Sequence, residues 1–233
     1  MPQIPFHVLF EDNHLLAVVK PAGLPTMGVE AGRTSLVTLA KDYLKVKYGK
    51  PGNVYLGVVS RLDAAASGVI IFARTSKAAA RLTDLFRRGD VEKTYWALVE
   101  GRPEPPEDSC VDWLVKDEQL MKMVVCAAHQ AGAQEARLRY RTLRRLPRAT
   151  LLEVRLETGR KHQIRVQLAH RGHPVLGDRK YGGTADFPHG VALHSRQLEL
   201  EHPVRKTPLR FEAPLPAAWR AYGMEVPPPG RVP

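Results

Sequence analysis

The chain has 233 residues, 44% of them hydrophobic, with 35 Lys and Arg against 24 Asp and Glu for a formal net charge of +11. Its longest apolar runs, such as GVIIFA, fall far short of the roughly 20 residues of a membrane-spanning helix, and two cysteines, Cys110 and Cys126, match neither a disulfide framework nor zinc or redox spacing. The opening stretch has no basic leader and no small-residue cleavage site, which points to a reduced, cytosolic protein whose positive field favours a polyanion, nucleic acid above all, over an unspecialised basic surface.

In chain order, two short strands are predicted at Val8–Phe10 and Leu15–Val19, joined by the turn EDN and ended by KPAG. Thr34 or Ser35 caps a helix to about Tyr48, with Leu36, Leu39, Tyr43, Leu44 and Val46 as a partial apolar stripe. Val69–Ala73 reads as a buried strand. Ser76 caps a second helix, with Ala79, Leu82, Leu85 and Phe86 at helical spacing and a glycine stop after RRG. Thr94–Val99 is a strand, and GRPEPPEDS a Pro-rich surface loop. ARLRYRTL alternates, so Arg137, Arg139 and Arg141 share one face and Leu138 and Tyr140 the other. ATLLEVRLE repeats the strand pattern. A third helix is predicted from just after Gly159 to about Arg171, followed by late strands at Ala192–Glu201 and Leu209–Glu212 and a frayed tail, VPPPGRVP. Eight or more strands with few helices, not in strict alternation, define an α+β class with a mixed, largely antiparallel sheet in one domain.

Two stretches carry chemistry. SRLDAAASG places one acid, Asp63, behind Arg61 and ahead of small residues that let a large ligand approach. The dull reading is an Arg–Asp pair fixing a strand start, worth little if exposed. TGRKHQIRV crowds Arg160, Lys161 and Arg165 around a helix start, where backbone N–H groups favour anions. His162 and Gln163 add neutral donors and acceptors there. The dull reading is a basic amphipathic helix on a solvated face. GVEAGRT lacks the lysine and spacing of a phosphate loop. His162, His170 and His173 do not have metal-ligand spacing. No dinucleotide fingerprint follows a strand, so no cofactor and no metal are expected.

EDNHLLAVVKPAGLPT, SRLDAAASGVIIFART, KTYWALVEG and TGRKHQIRVQLAHRGHPVLGDRKYGG, in this order, together resemble the catalytic domain of the RluA-type pseudouridine synthases, over about residues 8–212. The pair R-L-D-x-x-x-S-G and T-G-R-x-H-Q-I-R is the specific part. The resemblance implies an α+β fold with a long mixed sheet, helices at its flanks and a catalytic cleft across it. It also implies a cofactor-free isomerisation of uridine to pseudouridine in structured RNA, ribosomal or transfer. Asp63 matches the family's catalytic aspartate. Tyr95 matches the tyrosine that packs on the uracil, and Arg165 the arginine that pairs with the carboxylate. Arg61 matches the residue that enters the RNA, while Arg160, Lys161 and His162 are the expected RNA contacts. Lys20 and Pro21 match a structural motif.

Two positions depart from the family pattern: Ser60 stands where a histidine is usual, and Ala66 where a threonine is usual. The resemblance begins near residue 8, so no S4-like segment is expected ahead of it, and RNA selection falls to this surface or to a partner. Three roles stay open to Asp63: addition to the sugar, addition to the base, or removal of the C2′ proton. The alternatives to a synthase are an RNA-binding or RNA-folding protein that has lost catalysis, and a hydrolase, which would need a second positioned carboxylate.

Overall fold

The computed structural model describes residues 4–28 and 34–225. Among them eleven strands, β1 (His7–Glu11), β2 (Leu15–Lys20), β3 (Gly57–Val58), β4 (Ser67–Ala73), β5 (Glu92–Val99), β6 (Glu107–Asp117), β7 (Lys122–Cys126), β8 (Gln134–Arg145), β9 (Thr150–Leu156), β10 (Leu193–Glu201) and β11 (Pro208–Glu212), join one sheet. Its order is β1-β2-β4-β10-β5-β9-β8-β6-β7, with β3 added beside β4 and β11 beside β10. Three α-helices, α1 (Leu36–Lys47), α2 (Ser76–Arg88) and α3 (Gln163–His170), complete the α+β arrangement. None of the described helices is long and apolar enough to cross a membrane.

Strand β4 shows why the sheet is layered. All seven of its residues are buried. Ile70 and Phe72 join the main core with Leu36, Ala40 and Leu44 of α1. Val69, Ile71 and Ala73 face the other way, into a second core with Ala78, Leu82 and Leu85 of α2. A strand covered on both faces must be apolar at every position, which explains the unbroken GVIIFA run. Strand β8 is covered on one face only. Ala136, Leu138 and Tyr140 are buried while Arg137, Arg139 and Arg141 are exposed. Arg139 pairs with Glu157 at 2.7 Å and Arg141 with Glu153 at 2.8 Å, so much of this stripe is neutralised locally.

The two halves of the sheet meet through β4 and β10, the one parallel pairing of the described strands. Only two residue pairs make it, His194 with Ser67 and Ser195 with Gly68. Gly68 has φ +116°, and a Cβ there would lie 2.2 Å from the Ser195 carbonyl oxygen. The Ser67 hydroxyl lies 2.8 Å from His194 Nδ1, and His194 Nε2 lies 3.3 Å from the Ala213 carbonyl. That carbonyl only accepts, so Nε2 donates to it and Nδ1 accepts from Ser67. The Ser–Gly of the first motif is thus a seam between half-sheets.

Several boundaries differ from those predicted. Thr75, not Ser76, caps α2, its side chain accepting from the Ala78 N–H, and Gly89 ends the helix in the left-handed region as expected. Val46 is exposed and leaves the α1 stripe. The Pro-rich loop yields to β6 at Glu107, because Glu107 pairs with Arg141 of β8. Strands β3 and β7 lack a strong local pattern and form because neighbours offer ladder partners. Cys110 is core, whereas Cys126 is partly exposed. The third helix starts at Gln163, three residues later than predicted, because His162 sits at φ 56° in the left-handed region. The Gln163 side chain accepts from the Arg160 N–H at 2.9 Å and satisfies that amide outside the helix. VPPPGRVP and most of GVEAGRT lie outside the described residues.

Candidate active site

Asp63 lies in the loop between β3 and β4, and main-chain bonds hold that loop in place. Thr26 Oγ1 donates to the Leu62 carbonyl at 2.8 Å and accepts from the Leu62 N–H at 3.2 Å. The Gly23 N–H donates to Ala64 O at 2.7 Å, and the Val191 N–H to Ala65 O at 3.1 Å. Lys20 is fully buried, and its ammonium donates to the carbonyls of Pro21, Leu24 and Ala64 at 2.8, 2.8 and 3.1 Å. Three carbonyls match its three N–H groups. Burial pushes Lys20 down to about 7 against the pull of Asp63. KPAG thereby anchors the residue that follows the acid.

The Asp63 side chain keeps 22% of its surface exposed and meets two groups from the second motif. Arg165 Nη1 is 3.2 Å from Asp63 Oδ2, and His162 Nε2 is 3.8 Å from Oδ1. Arg165 is buried, and its closer partner is Asp178: Nε donates to Oδ2 at 2.6 Å and Nη2 to Oδ1 at 2.7 Å. Burial works against the Arg165 charge, but Asp178 and then Asp63 outweigh it and hold the guanidinium above its ordinary range. The guanidinium also lies over the Tyr181 ring, 5.0 Å from its centroid. Arg165 therefore cannot be one of the phosphate-gripping cations that its place in the TGRKHQIR cluster suggests; its charge is spent inside the protein.

Tyr95, on β5, pairs across the sheet with Ser195 of β10. Burial pushes Tyr95 up to about 12, the Ser195 side chain opposing and the Asp63 charge adding to the rise. It is a neutral phenol at physiological pH. Arg61 is exposed and makes no ion pair or hydrogen bond among the described residues. Lys161 is likewise exposed and unpaired among them, and Arg160, also exposed, donates through Nε to the Glu135 carbonyl at 2.8 Å. Three cations thus stand at the surface on the two loops that meet at Asp63. Among the described residues no group of three or more His, Cys, Asp or Glu side chains could hold a metal ion.

Sequence reasoning missed Asp178 as the main partner of Arg165, and it missed Tyr181. A signal for the first exists. Arg165 lies between Ile164 and Val166 in a short helix, and Asp178 is the one acid between Glu157 and Asp186. A buried guanidinium needs such a partner. Nothing local marks Tyr181, whose hydroxyl lies 2.7 Å from His162 Nδ1.

A half-open carboxylate held by a buried arginine, with exposed cations on the same two loops, is an arrangement able to receive a polyanion. The family model described as RNA pseudouridylate synthase matches residues 14–170. Ribosomal large subunit pseudouridine synthase D of Xanthomonas campestris is 37% identical over 232 residues, covering 91% of this chain and 67% of that protein. An uncharacterized RNA pseudouridine synthase of Zymomonas mobilis is 35% identical and is matched over its whole length, with 96% of this chain covered. The solved structure of human RNA pseudouridylate synthase domain containing 4 superposes with a TM-score of 0.78 at 26% identity, covering 95% of each chain. The chain belongs to the RNA pseudouridylate synthase family and is an isomerase that turns uridine in RNA into pseudouridine.

Proposed function

We propose that Asp63 is the carboxylate on which this isomerisation depends, and that the described residues form one catalytic domain. The carrying observation is the Asp63–Arg165 contact of 3.2 Å in a loop that leaves the acid partly open. The reaction breaks the C1′–N1 bond, turns the uracil and joins C1′ to C5, with the C5 hydrogen leaving as a proton and N1 taking up a proton. The base must first leave its stack, at a cost of a few kcal/mol. Arg61, exposed and unpaired among the described residues, fills the vacated space. Tyr95 stacks on the flipped uracil, a contact worth about 1–3 kcal/mol per base in single-strand complexes. Arg160 and Lys161 hold phosphates, a sequence-independent contribution that weakens with salt.

The substrate we infer is ribosomal RNA, handled in the cytoplasm. The names of several relatives, ribosomal large subunit synthases of bacteria, support this choice over transfer RNA. The test is tritium release from ribosomal and transfer RNA transcripts carrying [5-³H]uridine, since C5 loses its hydrogen only when it becomes the glycosidic carbon. Native protein should release tritium from ribosomal RNA, and Asp63→Asn should release none while binding RNA within about threefold of native, the charge lost being one among many contacts. Turnover by Asp63→Asn would overturn the assignment.

A further inference from the structure

One hydrogen-bonded chain beside Asp63 has no part in the mechanism above. The Met123 backbone N–H on β7 lies 3.2 Å from the Tyr181 hydroxyl oxygen. A backbone amide only donates, so this oxygen accepts, and its own proton is left to give. His162 Nδ1, 2.7 Å away, is the acceptor within reach of that proton when the ring carries its own proton on Nε2. An imidazole that accepts at Nδ1 and is neutral must carry its proton on Nε2. That nitrogen faces Asp63 Oδ1, the carboxylate oxygen turned away from Arg165. The ring is kept in place by an edge-on contact with Tyr181, at 5.7 Å and 85°. Burial lowers the His162 pKa, Arg165, Lys161 and Lys180 lower it further, and Asp63 alone opposes them. The imidazole is therefore neutral near pH 7.

We propose that His162 is a positioning residue for Asp63 and that Tyr181 sets its tautomer, so that one carboxylate oxygen is held by a cation and the other is steered by a neutral N–H. The proposal rests on the reading of Asp63 as the catalytic carboxylate. It replaces the RNA contact that the sequence suggests for His162, since a neutral ring already committed at Nδ1 is a poor phosphate ligand. At 3.8 Å the N–H and Oδ1 are beyond hydrogen-bond range, and catalytic contacts of this kind often close only in the complex with substrate. The chain also connects the β6–β7 hairpin to the acid: besides the Met123 amide, Lys180 Nζ on the Tyr181 side donates to the Met121 carbonyl at 2.7 Å.

The test uses His162→Phe, His162→Gln and Tyr181→Phe, with single-turnover tritium release, RNA affinity and melting temperature measured for each. His162→Phe should slow turnover about tenfold or more, the scale of a lost hydrogen bond to a charged group, at unchanged RNA affinity. His162→Gln, whose amide nitrogen reaches the place of Nε2, should recover most of that rate. Imidazole ¹⁵N spectroscopy should show an Nε2–H ring in the native protein and a mixture of tautomers in Tyr181→Phe, which keeps His162 should phenylalanine at φ 56° not fold. Native turnover by His162→Phe, a glutamine no better than phenylalanine, a loss confined to RNA affinity, or a native ring protonated at Nδ1 would each overturn the proposal. Asp63→Asn in parallel separates the two readings: turnover by that variant removes the catalytic assignment, whereas an inert Asp63→Asn beside a fully active His162→Phe removes only this one.

Discussion

Arg165 forks two of its nitrogens onto Asp178, at 2.6 and 2.7 Å, and turns the third toward Asp63 at 3.2 Å. The Asp178 side chain is 1% exposed and that of Arg165 7%, so the pair is shielded from water and its geometry is fixed. Asp178 thereby decides where the third nitrogen points.

Replacing Asp178 with Asn should cost about 3–5 kcal/mol of stability, the scale of a buried pair broken on one side. Turnover should fall as well, because a guanidinium freed from its fork no longer faces Asp63 in one orientation. Denaturant unfolding reads the first effect and tritium release at saturating RNA the second. A stable variant with native turnover would mean that Asp63 alone positions Arg165.

Gly68→Ala tests the seam between half-sheets. Its Cβ would meet the Ser195 carbonyl oxygen at 2.2 Å and the Ser195 nitrogen at 2.5 Å. These are backbone atoms and cannot swing aside, and φ +116° is costly for alanine. We expect a loss at or above the roughly 1–3 kcal/mol of ordinary overpacking. Ser195, the cross-strand partner of Tyr95, would shift with it. An unaltered melting temperature would show that the two strands separate without penalty.

Arg160 and Lys161 are exposed. Converting both to Ala should make log K against log salt shallower by about one to two units while leaving saturated turnover near native. An unchanged slope would remove them from the phosphate contacts.

Acid sensitivity should come in part from His194. Burial pushes this ring down to about 3 from 6.5. Between those values the unfolded chain binds a proton that the folded chain refuses, so the contribution is complete above about pH 6.5 and declines as pH falls toward 3. The slope approaches about 1.4 kcal/mol per pH unit. Urea midpoints at pH 7 and pH 5 should differ more in the native protein than in His194→Gln, and equal differences would place the acid lability elsewhere.

Much of this arrangement is legible in the sequence, for a physical reason in each case. The alternation of β8 survives because one face is solvated, and the unbroken apolar run of β4 because neither face is. The motif order brought Asp63 and Arg165 to notice together, though they are 102 residues apart. Partners that close a network across a turn stayed hidden. Tyr181 faces His162 only because the 171–178 segment brings the 179–181 turn back against α3. The left-handed backbone of His162, which delays the helix, has only a weak marker in residue type, since histidine enters that region more often than most residues but still in few of its occurrences.

The two-residue seam between β4 and β10 also bears on how the protein comes into being. Ser67 and His194 are 127 positions apart, and the loop carrying Asp63 leans on Val191. A chain still being synthesised holds its acid long before it holds the strand that sets the acid's loop, and it cannot complete the site until the residues around Ser195 have emerged. Such distant pairing places folding toward the slow, millisecond-to-second end of the range for single domains. On the proposed reading of Asp63, nascent chains should be inert toward RNA until the last strands dock, and truncation before β10 should yield a protein that neither folds stably nor modifies its substrate.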